Sequence, residues 1–305
     1  MFIQSHEERS FLGWMRETGN IFTGDEYNFR FGVWLSNKRY VQEHNAANFG
    51  FTLAMNRLAH LTPTEYRSLL GYRSSKVERK VTKSNAVAAD QIDWRKKCVV
   101  NEVQNQGACG SCWAFSAIQA QESQYAIVFT QLWKLSEQNL VDCVKKCHGC
   151  NGGEMYMSYD YVIQNQKGKF MLETDYPYTA RDGVCKFDAS KAVSQISRYE
   201  WADLGNEDDL ARKISSIGPA SVGIDASLAS FHLYSGGIYE DSACSMWSLD
   251  HGVGVVGYGS ESGKNYWIVR NSWGSAWGEK GYIRIAKDKE NMCGIATEAI
   301  FPIDQ

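Results

Sequence analysis

The sequence predicts an α+β protein of two unlike lobes preceded by a helical segment, on three observations. Residues 1–84 are rich in charge and aromatics, follow helical spacing and contain no cysteine, the first of the nine being Cys98. A second helical stretch opens the part that follows, at Cys109 to Val128. The last third then changes period: 220–225, 251–258, 265–271 and 281–287 alternate and are punctuated by glycine, as antiparallel strands are. Helices first and strands later place the two element types in separate lobes.

The elements follow in chain order. Between Asp25 and Asn48 there is no proline and only Gly32, and Tyr27, Phe31, Trp34 and Val41 recur at helical intervals, so one long amphipathic helix is expected. A shorter helix should start after Thr62, an N-cap residue followed by Pro63 and then by Glu65 three positions on. From Arg73 to Ala89 the apolar period is lost while Arg73, Lys76, Arg79, Lys80 and Lys83 accumulate, which reads as an exposed linker, either a solvated loop or a processing site. In Cys109 to Val128, Trp113, Ala114, Ile118 and Tyr125 fall on related faces of a helix.

Composition removes whole classes of function. With 32 Lys+Arg against 35 Asp+Glu the net charge is -3, so nothing draws the chain to nucleic acid or to an anionic membrane. No apolar run approaches the ~20 residues of a membrane-spanning helix. Residues Met1 to Arg9 carry His6, Glu7, Glu8 and Arg9 rather than the apolar core of a signal peptide, which implies a leader already removed or an unconventional export route. Nine cysteines suit an oxidising compartment, and their odd number leaves at least one thiol outside any set of internal pairs.

One of those thiols stands where chemistry is favoured. Gln106-Gly-Ala-Cys109-Gly-Ser-Cys112-Trp113 puts a Cys-x-x-Cys at a helix start, where unpaired N–H groups and partial positive charge favour a thiolate. Cys112 could be a nucleophile, Cys109 and Cys112 a redox pair, or both could be halves of separate disulfides. The redox reading lacks a preceding βαβ unit. His251, at the head of a strand-like segment, and Asn271, before Ser272-Trp273-Gly274, are each unremarkable alone.

Taken together, these residues resemble the papain family of cysteine proteases. Cys-Gly-Ser-Cys-Trp is similar to the signature of papain and the cathepsins, and His251 falls within the ~130–150 residues by which the family's histidine follows its cysteine. Asn271 lies slightly beyond that range, with the extra residues expected between Ala243 and Asp250. Farther upstream, Glu26, Arg30, Trp34, Asn37, Val41 and Asn45 match the inhibitory propeptide pattern Glu-x3-Arg-x3-Phe-x2-Asn-x3-Ile-x3-Asn, with Trp for Phe and Val for Ile. The likeness covers nearly the whole chain and is nearest the cathepsin L-like branch.

The resemblance implies a papain-like two-lobed fold: an inhibitory propeptide and linker over 1–87 and a mature peptidase over 88–305, with a helical lobe near 97–200 and a strand-rich lobe near 201–300. It implies Cys112 as nucleophile, His251 as its base, Asn271 as the residue orienting the ring, Gln106 as an oxyanion donor, and Trp273 as a cover over the His251–Asn271 contact. The pocket for the residue two before the cut would involve Gly152, Gly153, Met155, Gly223, Leu249, Gly252 and Glu298. Substrates would be proteins or peptides and the inhibitor the chain's own propeptide, in a monomer with no cofactor or metal, secreted or held in a lysosome-like acidic compartment. No insertion between Cys143 and Cys185 resembles the occluding loop of cathepsin B, which favours endopeptidase activity. A papain scaffold that binds without turnover is the rival from another class.

The family's disulfides correspond to Cys109–Cys150, Cys143–Cys185 and Cys244–Cys293. Parity then suggests a fourth bridge, Cys98–Cys147, leaving Cys112 as the single thiol that alkylation of the unreduced mature protein would label. Zinc held by Cys143, Cys147, His148 and Cys150 is the competing reading of that cluster.

One segment departs from the family. Ala54-Met-Asn-Arg-Leu-Ala-His60 resembles Gly-x-Asn-x-Phe-x-Asp, with a histidine where the relatives carry the carboxylate. A neutral His60 among apolar neighbours such as Leu58 and Leu61 would weaken propeptide docking below pH ~6.5. Pairing with an acid would reverse the sign. The apolar flanks favour the first, Glu65 being the one acid close by.

Overall fold

The structure, a computed structural model, describes residues 5–75, 79, 81–82 and 84–304. The linker lysines Lys76, Lys80 and Lys83 lie outside the described residues. Helix α1 (Ser5–Thr18) precedes the long helix α2 (Gly24–Ala47), which ends where Asn48 turns left-handed at φ 55°. Phe31, Trp34 and Val41 of its predicted stripe are buried, with Phe31 against Phe11 and Trp34 against Phe11 and Trp14 of α1. The polar positions of the same pattern are also engaged: the Asn37 amide donates to the Ala59 carbonyl at 2.8 Å, and that of Asn45 to the Leu53 carbonyl at 2.9 Å. Strand β1 (Phe51–Leu53) and helix α3 (Pro63–Leu69) follow, and α3 starts in the expected capping box of Thr62 and Glu65.

Strand β2 (Ile92–Asp93) opens the rest of the chain, and helix α4 (Cys112–Phe129) is its central rod. The helix starts three residues later than the sequence suggested because Cys109 is tied to Cys150 and Gly107 turns with φ 63°. Buried on nearly all sides, α4 satisfies its polar groups inside: Ser116 donates to the Val253 carbonyl at 2.7 Å and Gln121 to Asp304 at 3.0 Å. Helices α5 (Glu137–Cys143) and α6 (Met155–Asn165) and the small sheet of β3 (Lys169–Met171) and β4 (Ala192–Gln195) complete one core around it.

The second core lies on a nine-stranded sheet. Its members are β5 (Arg198–Trp201), β6 (Ala220–Ile224), β7 (Tyr234–Tyr239), β8 (His251–Glu261), β9 (Lys264–Arg270), β10 (Tyr282–Ala286) and β11 (Glu298–Ile303), with helices α7 (Glu207–Ser216) and α8 (Ala229–His232) between strands. The order is β1-β7-β10-β9-β8-β6-β11-β5, antiparallel except between β7 and β10, with β2 added beside β8. The four predicted strand segments are all present. Because β1 continues the sheet at β7, the N-terminal segment is held by a backbone ladder as well as by side chains.

Three disulfides close as the resemblance implied: Cys109–Cys150, Cys143–Cys185 and Cys244–Cys293. The fourth does not form. Cys98 is exposed, in a left-handed turn after the short helix Trp94–Lys97, whereas Cys147 is buried in the helical core against Glu154. A surface thiol and a core thiol cannot meet without unfolding one of them. The zinc reading fails as well, since Cys143 and Cys150 are consumed by disulfides.

Candidate active site

Cys112 is the first residue of α4 and His251 the first of β8, so the two lobes meet at these side chains. Gly252 N–H points at the Cys112 sulfur from 3.4 Å. His251 Nε2 lies 2.8 Å from Asn271 Oδ1, an oxygen that also accepts from Ser272 N–H. An amide oxygen can only accept, so the neutral ring carries its proton on Nε2 and leaves Nδ1 free to exchange one. Nδ1 is buried and has no hydrogen-bond partner among the described residues. Trp273 lies over the imidazole with ring centroids 4.8 Å apart.

Gln106 is fully engaged: Ser272 Oγ donates to its Oε1 at 2.7 Å, and its Nε2 donates to the Cys109 carbonyl at 2.8 Å and the Leu69 carbonyl at 2.9 Å. The last contact comes from the N-terminal segment. Gly71 N–H then donates to Cys112 Sγ at 3.2 Å, and no side chain fits at this crossing, since a Cβ on Gly71 would stand 1.8 Å from the Gly110 carbonyl oxygen. Burial drives the electrostatics of this covered state. It pushes the Cys112 thiol up to about 12, against the lowering effect of the Gly252 and Gly71 N–H groups, and His251 down to about 4, against its bond to Asn271. Both are therefore neutral while the segment is in place.

The expected pocket residues surround the next residue of that segment. Tyr72 donates its N–H to the Asp250 carbonyl at 2.9 Å, and its ring lies where a side chain on Gly223 would be. Its hydroxyl donates to Glu298, which also accepts from Ser74 at 2.8 Å and pairs with Arg79. Gly153 brackets it, accepting from Arg73 N–H at 3.1 Å and donating to the Gly71 carbonyl at 2.9 Å, while Gly152 faces the Gly71 carbonyl. Met155 and Leu249 are buried in the same apolar cluster as Tyr72, and Gly252 backs onto the Cys112 carbonyl. Three residues here were not legible in the sequence: Tyr72 on Glu298, Glu154 under the Ser75 hydroxyl and His232 beside the Leu58 carbonyl meet these partners only through chain closure, and no local pattern marks them.

Comparison with known proteins places this arrangement. The model of the papain family cysteine protease matches residues 88–303, and that of the cathepsin propeptide inhibitor domain (I29) matches residues 11–66. Human cathepsin L2 is 41% identical over 303 residues, covering 95% of this chain and 90% of that protein. A cathepsin L-like protein of Caenorhabditis elegans is 43% identical over 272 residues, covering 86% of this chain and 80% of its own. Among solved structures, digestive procathepsin L 3 of Tenebrio molitor larval midgut superposes with a TM-score of 0.91 at 36% identity, covering 99% of this chain and 100% of that one.

The chain therefore belongs to the papain family of cysteine proteases. Within it, this is a cathepsin L-like endopeptidase made as a zymogen with its inhibitory propeptide attached.

The free thiols give a direct check on the covered site. Iodoacetamide added to the folded, unreduced zymogen is expected to label Cys98 readily, Cys112 only once the propeptide is gone, and Cys147 only on unfolding. The mature protein should thus show two reactive thiols rather than the one that a fourth bridge would have left. Peptide mapping reads the order, and rapid labelling of Cys112 in the intact zymogen would contradict its burial.

Proposed function

We propose that Cys112, His251, Asn271 and Gln106 carry out acyl transfer from peptides to water in the mature enzyme. Once the propeptide leaves, water reaches the site and the desolvation that keeps both groups neutral is relieved. Cys112 then gives its proton to His251, and the thiolate attacks the peptide carbonyl. His251 returns the proton to the leaving amine, and water, deprotonated by the same ring, hydrolyses the thioester. Asn271 holds the ring, Trp273 shields that bond, and the Gln106 amide with the Cys112 N–H faces the developing oxyanion, each such donor being worth ~3–4 kcal/mol. The Leu69 carbonyl on Gln106 supports this assignment, since it engages the donor an oxyanion would need.

The mature chain in this reading begins near Ala88 and acts as a monomer on protein substrates in a lysosome-like acidic compartment or after secretion, without nucleic acid or membrane partners. Among the described residues no helix is long and apolar enough to cross a membrane. One observation carries the specificity: Tyr72, an aromatic with a polar end, fits the pocket with its hydroxyl on Glu298. Gly152, Gly153, Met155, Gly223, Leu249 and Gly252 form the apolar part and Glu298 its charged end, so Phe and Leu are accepted as well as Arg. Glu298→Ala is expected to lower the ratio of kcat/KM for Arg over Phe, two residues before the cut, by about tenfold or more. An unchanged ratio would refute the pocket.

A further inference from the structure

Glu154 is the N-cap residue of α6, yet its carboxylate makes no capping bond. A carboxylate there would ordinarily accept from the first-turn N–H groups. This one turns into the cleft and takes the hydroxyl of Ser75 at 3.0 Å, while its neighbour Tyr156 meets the same hydroxyl at 3.2 Å. Consecutive propeptide serines thus serve two acids, Ser74 on Glu298 and Ser75 on Glu154. The residue is 5% exposed while the propeptide is bound. Burial is the main reason its carboxyl stands above the ordinary value, and the charge of Glu298 adds to it.

A cation already sits at this pair. Arg79 of the propeptide donates Nη1 to the Thr297 carbonyl at 2.5 Å, pairs through Nη2 with Glu298, and lies over Trp201 with its guanidinium 4.8 Å from the ring centroid. Its charge also acts on Glu154. Thr297, Glu298 and Trp201 all belong to the mature part, and Tyr156 stands against Trp201 at 5.9 Å. The propeptide therefore meets two carboxylates with one guanidinium and three hydroxyls, those of Tyr72, Ser74 and Ser75. All four leave with it.

We infer that Glu154 is a second specificity-determining carboxylate of the mature enzyme and acts with Glu298 on one cationic side chain, two residues before the cut. The inference rests on the pocket reading given above. A guanidinium, with five N–H donors, can serve two carboxylates at once, whereas an ammonium offers a point charge. The substrates favoured are consequently peptides with Arg at that position, ahead of Lys and of Phe.

The test uses mature enzyme, normalised by active-site titration, and peptides carrying Arg, Lys or Phe at the second or the third position before the cut. Glu154→Gln is expected to lower the second-position Arg-to-Phe ratio of kcat/KM about tenfold, Glu154→Asp to restore part of it, and Glu154→Lys to push it below that of Glu154→Gln. Raising the salt concentration should erode the ratio more in wild type than in Glu154→Gln. If Glu298→Gln lowers the ratio and Glu154→Gln does not, the inference is wrong and the pocket reading stands. If neither lowers it, both fall. A change confined to the third position would also overturn the inference, by assigning Glu154 to a different substrate residue.

Discussion

Cys112→Ser is expected to abolish peptide hydrolysis, by at least ~10^4-fold in kcat/KM, and to leave the zymogen at full length after acid incubation. The loss follows from the acidity of the nucleophile, because a serine hydroxyl with an imidazole base lacks the readily formed thiolate. The fold should survive, since the oxygen can accept the same N–H groups from Gly71 and Gly252 that the sulfur accepts now. N-terminal sequencing after acid treatment checks processing and boundary together: wild type should begin near Ala88 and the variant at its original first residue. His251→Ala should be comparably damaging and Asn271→Ala less so, and the losses should not add, because the three act on one proton and one nucleophile. Turnover near wild type in Cys112→Ser would overturn the assigned mechanism.

Features set by local spacing were readable in the sequence. The stripe Phe31, Trp34 and Val41 fixed α2, Thr62-Pro63 and Glu65 fixed the start of α3, and glycine-punctuated alternation fixed β8. The positions proposed as catalytic came from resemblance, because nothing local distinguishes His251 from a structural histidine. Cysteine parity failed for a physical reason: it assumes that every thiol seeks a partner, whereas Cys147 is stable as a buried thiol and Cys98 as an exposed one. What the sequence could not show were contacts closed over long loops, such as Tyr72 and Arg79 on Glu298. For His60 the apolar surroundings expected from the sequence are present, with burial lowering the ring, but the neighbours differ from the expected Leu58 and Leu61. Its ring packs on Trp14 of α1 and on Phe22 between α1 and α2, both far from it in the chain, and Glu65 is taken by Arg30.

Acid release of the propeptide is expected to depend on two histidines, and on His232 the more strongly. His232, at the end of α8 in the mature part, stacks on Tyr66 of the propeptide with centroids 4.2 Å apart, and its Nε2 lies 2.9 Å from the Leu58 carbonyl. Burial lowers it to about 4, with a further push from His60 and an opposing pull from the Leu58 bond. His60 is lowered too, by burial first and then by Arg30. A group whose docked value is depressed because the neutral form is buried adds no pH dependence while both states are neutral. Below ~6.5 the undocked ring takes a proton and the docked ring does not, so docking weakens until pH reaches the docked value. For His232 the span from ~6.5 to about 4 is worth at most ~3.4 kcal/mol, roughly three hundredfold in the inhibition constant, if undocking returns the ring to its ordinary value. The Glu65–Arg30 pair lies within the propeptide, so its loss at low pH, Arg30 holding Glu65 at about 2, weakens the propeptide's own fold and affects docking only through that fold. Asp250 and Glu154 oppose the histidines, their carboxyls being raised mainly by burial, so that docking takes up protons there. The wild-type profile is the sum of these terms, and His232→Phe, which keeps the ring on Tyr66 and removes the titration, isolates one of them. Measured from pH 7.5 to 4.5, the inhibition constant of the separate propeptide should rise more steeply with acid for wild type than for His232→Phe. His60→Asp in the propeptide should change the profile less. Superimposable wild-type and His232→Phe curves would remove His232 from the release mechanism and leave the acid trigger to the carboxylates.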